Sequence, residues 1–120
     1  MLTILVVDDE KLERKGIRFL LNRRSEEMEI LEAANGKAAC EILQRRTVDI
    51  MLTDIKMPFM DGIELVSVAH KLQPDLEMVI FSGHGEFEYA KKAMASGVSN
   101  YVLKPVDPAE FENTLNHLVE

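Results

Sequence analysis

The chain contains three short segments, LTILVV, VDIMLT and MVIFS, that are apolar at nearly every position. A strand with one face in water alternates apolar and polar residues, whereas a strand covered on both faces is apolar throughout. Between these segments, apolar residues recur at the spacing of one helix face. Repeated strand and helix units of this kind predict a mainly parallel sheet with helices packed on both sides.

The pattern predicts five strands and five helices in alternation, within one domain that covers residues 1–120. We expect strands over residues 2–7, 29–33, 48–53, 78–82 and 100–103. We expect helices over residues 10–23, 36–46, 62–72 and 86–96, and a fifth helix that opens at Asp107-Pro108. The predicted fold is α/β, a flavodoxin-like (βα)5 doubly wound parallel sheet with strand order 2-1-3-4-5.

The charge balance restricts the partners of the chain. It has 21 acidic and 14 basic residues and a formal net charge of −7, which disfavours nonspecific binding to nucleic acid or to anionic lipid. No apolar run reaches the ~18 residues of a membrane span, and the single cysteine, Cys40, has no partner for an internal disulfide. We therefore expect a cytoplasmic domain that binds neither nucleic acid nor membrane, with Cys40 packed in the core.

Reactive side chains follow the predicted strands at one edge of the sheet. Functional groups of open parallel sheets gather beyond the carboxyl ends of the strands, where the strand order reverses. Strand one is followed by Asp8-Asp9, strand three by Asp54 and strand five by Lys104, while strand four ends in Ser82. With strands one and three adjacent, Asp8, Asp9 and Asp54 are expected to lie close together.

Carboxylates that converge in this way need a compensating positive charge. Two unit charges ~4 Å apart repel by about 4 kcal/mol at an effective dielectric constant of 20. A hard divalent cation with oxygen ligands meets this need, and a group without His or Cys favours magnesium over a transition metal. An anion can then approach, so the residues indicate phosphoryl transfer to Asp54, with Lys104 and Ser82 binding the phosphoryl oxygens.

Four motifs, taken with their order and spacing, resemble the receiver domain of two-component response regulators. They are VVDDE, TDIKMPFMDG, FSG and NYVLKPV, and the resemblance extends over nearly all 120 residues. Within that family, the segment GHGEFEYAKKAMASGVSNYVLKPVDPAEF is most similar to receivers that precede an AraC-type helix-turn-helix domain. No such output domain lies in this sequence; the chain is either a receiver cut from a longer regulator or a stand-alone regulator, and we favour the first.

The resemblance implies a role for each residue of the group. It implies Asp54 as the phosphoacceptor and Lys104 as the lysine that pairs with the phosphate. It also implies Ser82 as the switch hydroxyl, Tyr101 as the switch aromatic, and a cis peptide bond before Pro105. The implied magnesium ligands are Asp9, Asp54, the backbone carbonyl of Lys56 and, largely through water, Asp8.

The implied function is a phosphorylation-dependent signalling switch. A sensor histidine kinase donates the phosphoryl group to Asp54 with Mg²⁺, and Ser82 and Tyr101 relay the change to the predicted fourth helix, fifth strand and fifth helix. That face commonly mediates dimerisation in the family, and the implied output is transcription through a fused C-terminal DNA-binding domain. The resemblance implies no enzyme activity beyond magnesium-dependent self-phosphorylation and autodephosphorylation. Many relatives carry Thr in place of Ser82, and the residue type found at the position of His84 varies among them in ways that tune the lifetime of the phosphorylated state. That lifetime is therefore not predicted.

Other functions are compatible with the fold, and each has a distinguishing feature. A flavodoxin-like cofactor binder holds a phosphate in a first loop rich in Ser, Thr and Gly, whereas the acidic loop here repels one. An aspartate-dependent phosphohydrolase has an acid two residues after its nucleophile, where this chain has Lys11 after Asp9. A pseudo-receiver that acts only as a docking module binds no magnesium. We expect Asp61-Gly62 to be a simple turn.

Overall fold

The computed structural model describes residues 1–83, 85, 86, 88, 91, 92, 95, 98 and 100–119. Its strands are β1 (Leu2–Val7), β2 (Met28–Ala33), β3 (Ile50–Asp54), β4 (Glu77–Ser82) and β5 (Asn100–Leu103). The helices of this described part are α1 (Lys11–Asn22), α2 (Gly36–Arg45), α3 (Gly62–Leu72) and α4 (Pro108–Val119). The helix predicted over residues 86–96 lies mostly outside the described residues, and His84 also lies outside them. The helix labelled α4 here therefore corresponds to the fifth helix of the sequence prediction.

The strands form one parallel sheet in the order β2-β1-β3-β4-β5, which confirms the predicted flavodoxin-like arrangement. Successive residues of a strand point to opposite faces, and both faces are covered here. One face packs against α2 and α3, with strand residues Leu5, Val7, Met51, Met78 and Ile80 in its core. The other face packs against α1 and α4, with strand residues Ile4, Val6, Ile50, Leu52, Val79 and Phe81. The continuously apolar segments are therefore strands buried on both sides.

The helices on the second face each bury one apolar stripe. α1 buries Ile17 and Leu21, and α4 buries Phe111 and Leu115. The ring of Phe111 stacks on that of Phe81, with 6.2 Å between the ring centroids. Among the residues that the structure describes, no helix combines the length and the apolar character needed to cross a membrane.

The start of β3 differs from the prediction, since the strand begins at Ile50 rather than at Val48. Val48 is buried, but its amide N–H donates to the side-chain oxygen of Gln73 at 3.0 Å instead of to a neighbouring strand. The Asp49 carboxylate likewise accepts a hydrogen bond from the amide of Thr3 at 2.8 Å. Apolar character alone therefore overestimated the strand, because a side-chain acceptor satisfies the amide of Val48. The amide of Asp49 still donates to the carbonyl of Thr3 on β1 at 2.9 Å, so the regular pairing starts only after these two residues.

Candidate functional site

Three carboxylates meet where β1 and β3 end side by side. Val7 pairs with Thr53 in the sheet register, so Asp8 and Asp9 leave β1 next to Asp54 at the end of β3. Each carboxylate offers one oxygen, and these oxygens all lie within 4.8 Å of one another. Asp8 is buried, Asp54 is half-buried and Asp9 is exposed. The clustering predicted from the strand ends is confirmed.

The backbone around Asp8 is held by hydrogen bonds on both sides of the residue. Its amide N–H donates to the carbonyl of Ala33 on β2 at 3.2 Å, which continues the ladder by one residue. Its carbonyl oxygen accepts from Nη1 of Arg14 at 2.8 Å, and its Oδ1 accepts from the amide of Glu10 at 2.9 Å. Asp8 therefore ends the strand in a fixed orientation.

Lys104 reaches the carboxylates from the end of β5. Its Nζ lies 3.1 Å from Oδ1 of Asp54 and 3.7 Å from Oδ2 of Asp8. Its amide N–H donates to the carbonyl of Ser82 at 2.7 Å, which joins the ends of β4 and β5. The peptide bond between Lys104 and Pro105 is cis, as expected. The lysine of the NYVLKPV motif is thus next to the two more buried acids.

Burial raises the pKa of both of these carboxyl groups. The pKa of Asp8 rises from 3.8 to about 6 because burial disfavours its charged form; the Glu10 amide opposes this rise. The pKa of Asp54 is also raised, chiefly by burial, against the hydrogen bond from Lys104. The negative charge of Asp54 adds to the rise at Asp8, and that of Glu86 adds to the rise at Asp54. Keeping these acids ionised together therefore has a free-energy cost.

The positive charge of Lys104 offsets only part of this cost. Burial acts to lower its pKa, but its hydrogen bond to Asp54 and its attraction to Asp54 and Asp8 raise the pKa overall, so the side chain is an ammonium. The pKa values of Asp8 and Asp54 nevertheless remain raised. A cluster of carboxylate oxygens with uncompensated charge fits a hard divalent cation.

Ser82 lies on β4, which is beside β3, and Tyr101 lies on β5, the next strand of the sheet. Ser82 ends β4 with 1% of its surface exposed, and its hydroxyl has no hydrogen-bond partner among the described residues. A buried hydroxyl without a partner is uncommon and costly. Tyr101 pairs with Ile80 in the register of β4 and β5, and its half-buried side chain packs against the core on the α2 and α3 side. Ser82 is at the carboxyl end of its strand, as predicted, whereas Tyr101 lies two residues before the end of β5.

The loop after β3 turns sharply back toward the end of the strand. The Gly62 amide donates to the carbonyl of Ile55 at 2.7 Å, and a Cβ on Gly62 would lie 2.4 Å from the carbonyl oxygen of Asp54. Asp61 caps α3 by accepting from the amide of Glu64 at 2.9 Å, which agrees with its interpretation as turn chemistry. Lys56 is an exposed residue of this loop. Its carbonyl remains a predicted ligand.

Two residues near the site were missed by the sequence analysis. Arg14, one turn into α1, binds the carbonyl of Asp8, as described above. Glu86 accepts a hydrogen bond from the amide of Gly83 at 2.6 Å, and its charge acts on Asp54. For Arg14, the sequence offered one signal, its spacing of about one to two helical turns from the acidic residues. For Glu86, the sequence pattern indicated only the start of a helix.

Comparisons with known proteins agree with this geometry. The family model of the response regulator receiver domain matches residues 4–116. YesN of Bacillus subtilis (strain 168), described as an uncharacterized transcriptional regulatory protein, is 36% identical over 120 residues. That match covers 99% of the chain but only 33% of YesN, so the chain spans about a third of the length of this relative.

Two solved structures extend the similarity to three dimensions. A response regulator receiver domain protein from Clostridium thermocellum superimposes with a TM-score of 0.91 at 30% identity, covering 99% of this chain and 94% of that one. A two component transcriptional regulator AraC from Clostridium phytofermentans ISDg gives a TM-score of 0.88 at 38% identity, covering 99% and 93%. The chain belongs to the response regulator receiver domain family and is a receiver domain of the two-component type.

Proposed function

We propose that the domain is a phosphorylation-dependent signalling switch in which Asp54 accepts a phosphoryl group from a sensor histidine kinase with Mg²⁺. The observation that carries this proposal is the position of the Asp54 carboxylate. It lies 3.1 Å from Nζ of Lys104 and shares a cluster with Asp8 and Asp9. A nucleophile, further oxygen ligands and a fixed positive charge are thereby available at one point.

The contacts of Asp54 distinguish its two carboxylate oxygens. Oδ1 accepts from the amide of Ile55 at 3.0 Å and contacts Lys104. Within the described residues both contacts are made by Oδ1, so we assign Oδ2 as the attacking oxygen. In the transfer, Oδ2 forms a bond to phosphorus while the P–N bond to the kinase histidine breaks. The electron pair of that bond leaves with the imidazole, which takes up a proton, and Asp54 becomes an acyl phosphate.

The remaining residues bind and orient the phosphoryl group. When bound, Mg²⁺ supplies the positive charge that lets an anionic group approach the acceptor. We assign its ligands as Asp8, Asp9, Asp54 and the carbonyl of Lys56. The ammonium of Lys104 pairs with the added charge, and the unpartnered hydroxyl of Ser82 donates to a phosphoryl oxygen.

We further propose that the phosphorylated state is read at the surface around β5. A phosphoryl group carries about −1.5 to −2 charge, which draws Ser82 and Lys104 toward Asp54. Movement of Ser82 changes the packing around Tyr101 on the neighbouring strand. Tyr101 then transmits the change to the face that includes β5 and α4, where a second phosphorylated copy docks.

The output is proposed to be transcription. YesN is named a transcriptional regulatory protein, and the chain spans 33% of its length. The similar solved structure from Clostridium phytofermentans is named a transcriptional regulator AraC. We propose that the full regulator acts in the cytoplasm and carries a C-terminal helix-turn-helix domain. The receiver itself catalyses only its own magnesium-dependent phosphorylation and dephosphorylation.

Incubation with acetyl phosphate and Mg²⁺ tests the acceptor without any kinase. Intact-mass measurement should detect one added phosphoryl group on the unaltered protein and none on Asp54→Asn, because the amide is not a nucleophile. Chelation of Mg²⁺ should abolish the labelling. Asp107→Asn, an exposed acid beside α4, is the matched control and should label normally.

The outcomes separate the rival functions. Equal labelling of Asp54→Asn contradicts the assignment of the acceptor. Continuous turnover of small phosphate esters would instead favour a phosphohydrolase. A protein that neither binds Mg²⁺ in titration calorimetry nor accepts a phosphoryl group would be a docking module.

A further inference from the structure

We propose that Arg14 is a positioning residue that fixes the peptide bond between Asp8 and Asp9 and thereby sets the affinity of the acidic cluster for Mg²⁺. This inference rests on the proposed function and adds a residue to its machinery. Arg14 lies in the first turn of α1, and its amide donates to the carbonyl of Glu10 at 3.1 Å. Its side chain is largely buried, with 15% of its surface exposed.

The side chain of Arg14 bridges the acidic loop and β2. Its Nη1 donates to the carbonyl oxygen of Asp8 at 2.8 Å, and its Nε donates to Oε1 of Glu32 at 3.0 Å. A planar guanidinium makes two such bonds in a fixed mutual geometry. The position of the Asp8 carbonyl is therefore tied to that of Glu32 at the end of β2.

The Asp8 carbonyl lies where the sheet no longer determines the course of the chain. The last ladder pairs of β1 are Val7 with Ala33 and Val7 with Thr53, and the amide of Asp8 makes one further bond to Ala33. The carbonyl of Asp8 and the nitrogen of Asp9 belong to the same planar peptide unit. Holding this carbonyl therefore fixes the plane that carries the nitrogen and Cα of Asp9, and it restricts the directions in which the exposed side chain of Asp9 can leave the backbone.

Arg18 makes a comparable set of bonds without reaching Asp8. Its Nε donates to Oε2 of Glu32 at 2.9 Å, and its Nη2 donates to the carbonyl of Ile30 at 3.2 Å. Arg14 and Arg18 thus share one carboxylate and carry the same charge, but only Arg14 has a bond to the acidic loop among these contacts. The chain therefore provides its own matched control.

The bond from Arg14 goes to a backbone carbonyl and not to a carboxylate. Its effect is therefore expected to depend on geometry more than on charge neutralisation, which Arg18 would supply in a similar amount. Residues that orient metal ligands typically contribute ~10-fold to ~100-fold to metal affinity. Loss of Arg14 should lie at the lower end of that range, because Glu10 and Ala33 still hold other atoms of Asp8.

The test compares Arg14→Met with Arg18→Met, each of which removes one positive charge and one of the two arginine partners of Glu32. Titration calorimetry with MgCl₂ alone measures the Kd for Mg²⁺, and labelling with acetyl phosphate over a range of Mg²⁺ measures half-saturation. We expect Arg14→Met to raise both values by about 10-fold and Arg18→Met by less than about twofold. Labelling at saturating Mg²⁺ should recover in Arg14→Met, because Asp54 and Lys104 are untouched.

Equal effects of the two substitutions, or an unchanged Kd in Arg14→Met with lower stability, overturn the proposal in favour of a purely structural arginine. Should Arg14→Met not fold, Arg14→Lys replaces it. A lysine has no planar fork to bridge Asp8 and Glu32, so the Kd should still rise by roughly threefold, and an unaltered Kd overturns the inference.

Labelling of Asp54 in the unaltered protein is the separate test of the proposed function. A protein whose Mg²⁺ affinity depends on Arg14 but that is never labelled contradicts only that function, and one that binds no Mg²⁺ contradicts both.

Discussion

Replacement of Asp8 by asparagine should stabilise the metal-free protein at neutral pH. Asp8 is buried with only 6% of its surface exposed, and its pKa is raised from 3.8 to about 6. At about 1.36 kcal/mol per pKa unit, this rise corresponds to roughly 3 kcal/mol. An asparagine oxygen can still accept the hydrogen bond from the Glu10 amide, which Oδ1 of Asp8 accepts at 2.9 Å. Because the amide carries no charge, most of this cost should disappear.

The sign of the pH dependence follows from the direction of the pKa shift. Between about pH 4 and pH 6, Asp8 is ionised in the unfolded chain but still largely protonated in the folded protein. Its contribution to the free energy of unfolding therefore falls as the pH rises through this range and stays low above it. The salt bridge with Arg24 lowers the pKa of Glu26 and gives the opposite dependence. That contribution is common to both proteins and cancels in their difference.

Urea denaturation followed by circular dichroism measures this difference. With EDTA at about pH 8, Asp8→Asn should be more stable than the unaltered protein by about 2 to 3 kcal/mol, and near pH 4 the two should converge. Saturating Mg²⁺ should reduce or reverse the advantage, because ligand binding stabilises the protein that binds it more tightly. Asp107→Asn is the control of equal charge and should change stability by less than about 0.5 kcal/mol. Loss of stability in Asp8→Asn at pH 8 without metal, or a difference independent of pH, would refute the electrostatic reasoning.

Three further substitutions test other parts of the site. Gly62→Ala should lower the free energy of unfolding in urea by about 3 kcal/mol, because its Cβ would lie 2.4 Å and 2.8 Å from backbone atoms of Asp54 and Ile55; a loss below about 1 kcal/mol contradicts this close approach. Phe59 is fully exposed with φ of 70°, so Phe59→Asn should raise the unfolding free energy by ~0.5 to 1 kcal/mol, and any loss argues against backbone strain. Glu86→Gln should speed labelling by acetyl phosphate roughly threefold, or about 0.7 kcal/mol in the barrier, because the charge of Glu86 acts on Asp54; an unchanged rate under saturating Mg²⁺ contradicts this effect.

The fold and the meeting of the acids were predictable because they depend on backbone periodicity. Strands that are apolar throughout identify a sheet covered on both faces, and the order of such a sheet brings Asp8, Asp9 and Asp54 to one edge. Both ends of α3 were predicted to the residue, and the start was the clearer of the two because Asp61 and Gly62 have strong turn chemistry. These features need only local sequence and the geometry of parallel strands.

Contacts made by long side chains could not be predicted in the same way. Arg14 reaches Asp8 and Glu32 through several rotatable bonds, and its partners depend on how α1 sits on the sheet. The predicted start of β3 at Val48 was wrong for a related reason. The amide of Val48 donates to the side chain of Gln73, which is 25 residues away in sequence. Such contacts are set by tertiary packing, which a single sequence does not encode in any short pattern.

The hydrogen bond from the amide of Lys104 to the carbonyl of Ser82, at 2.7 Å, has a mechanical consequence. The hydroxyl of Ser82 and the ammonium of Lys104, which are proposed to bind the phosphoryl group, therefore belong to residues whose backbones are hydrogen-bonded to each other. A displacement of the backbone at one residue is transmitted through this bond to the other, so we expect the two backbones to move together. The response to phosphorylation should accordingly be concerted at these positions rather than stepwise.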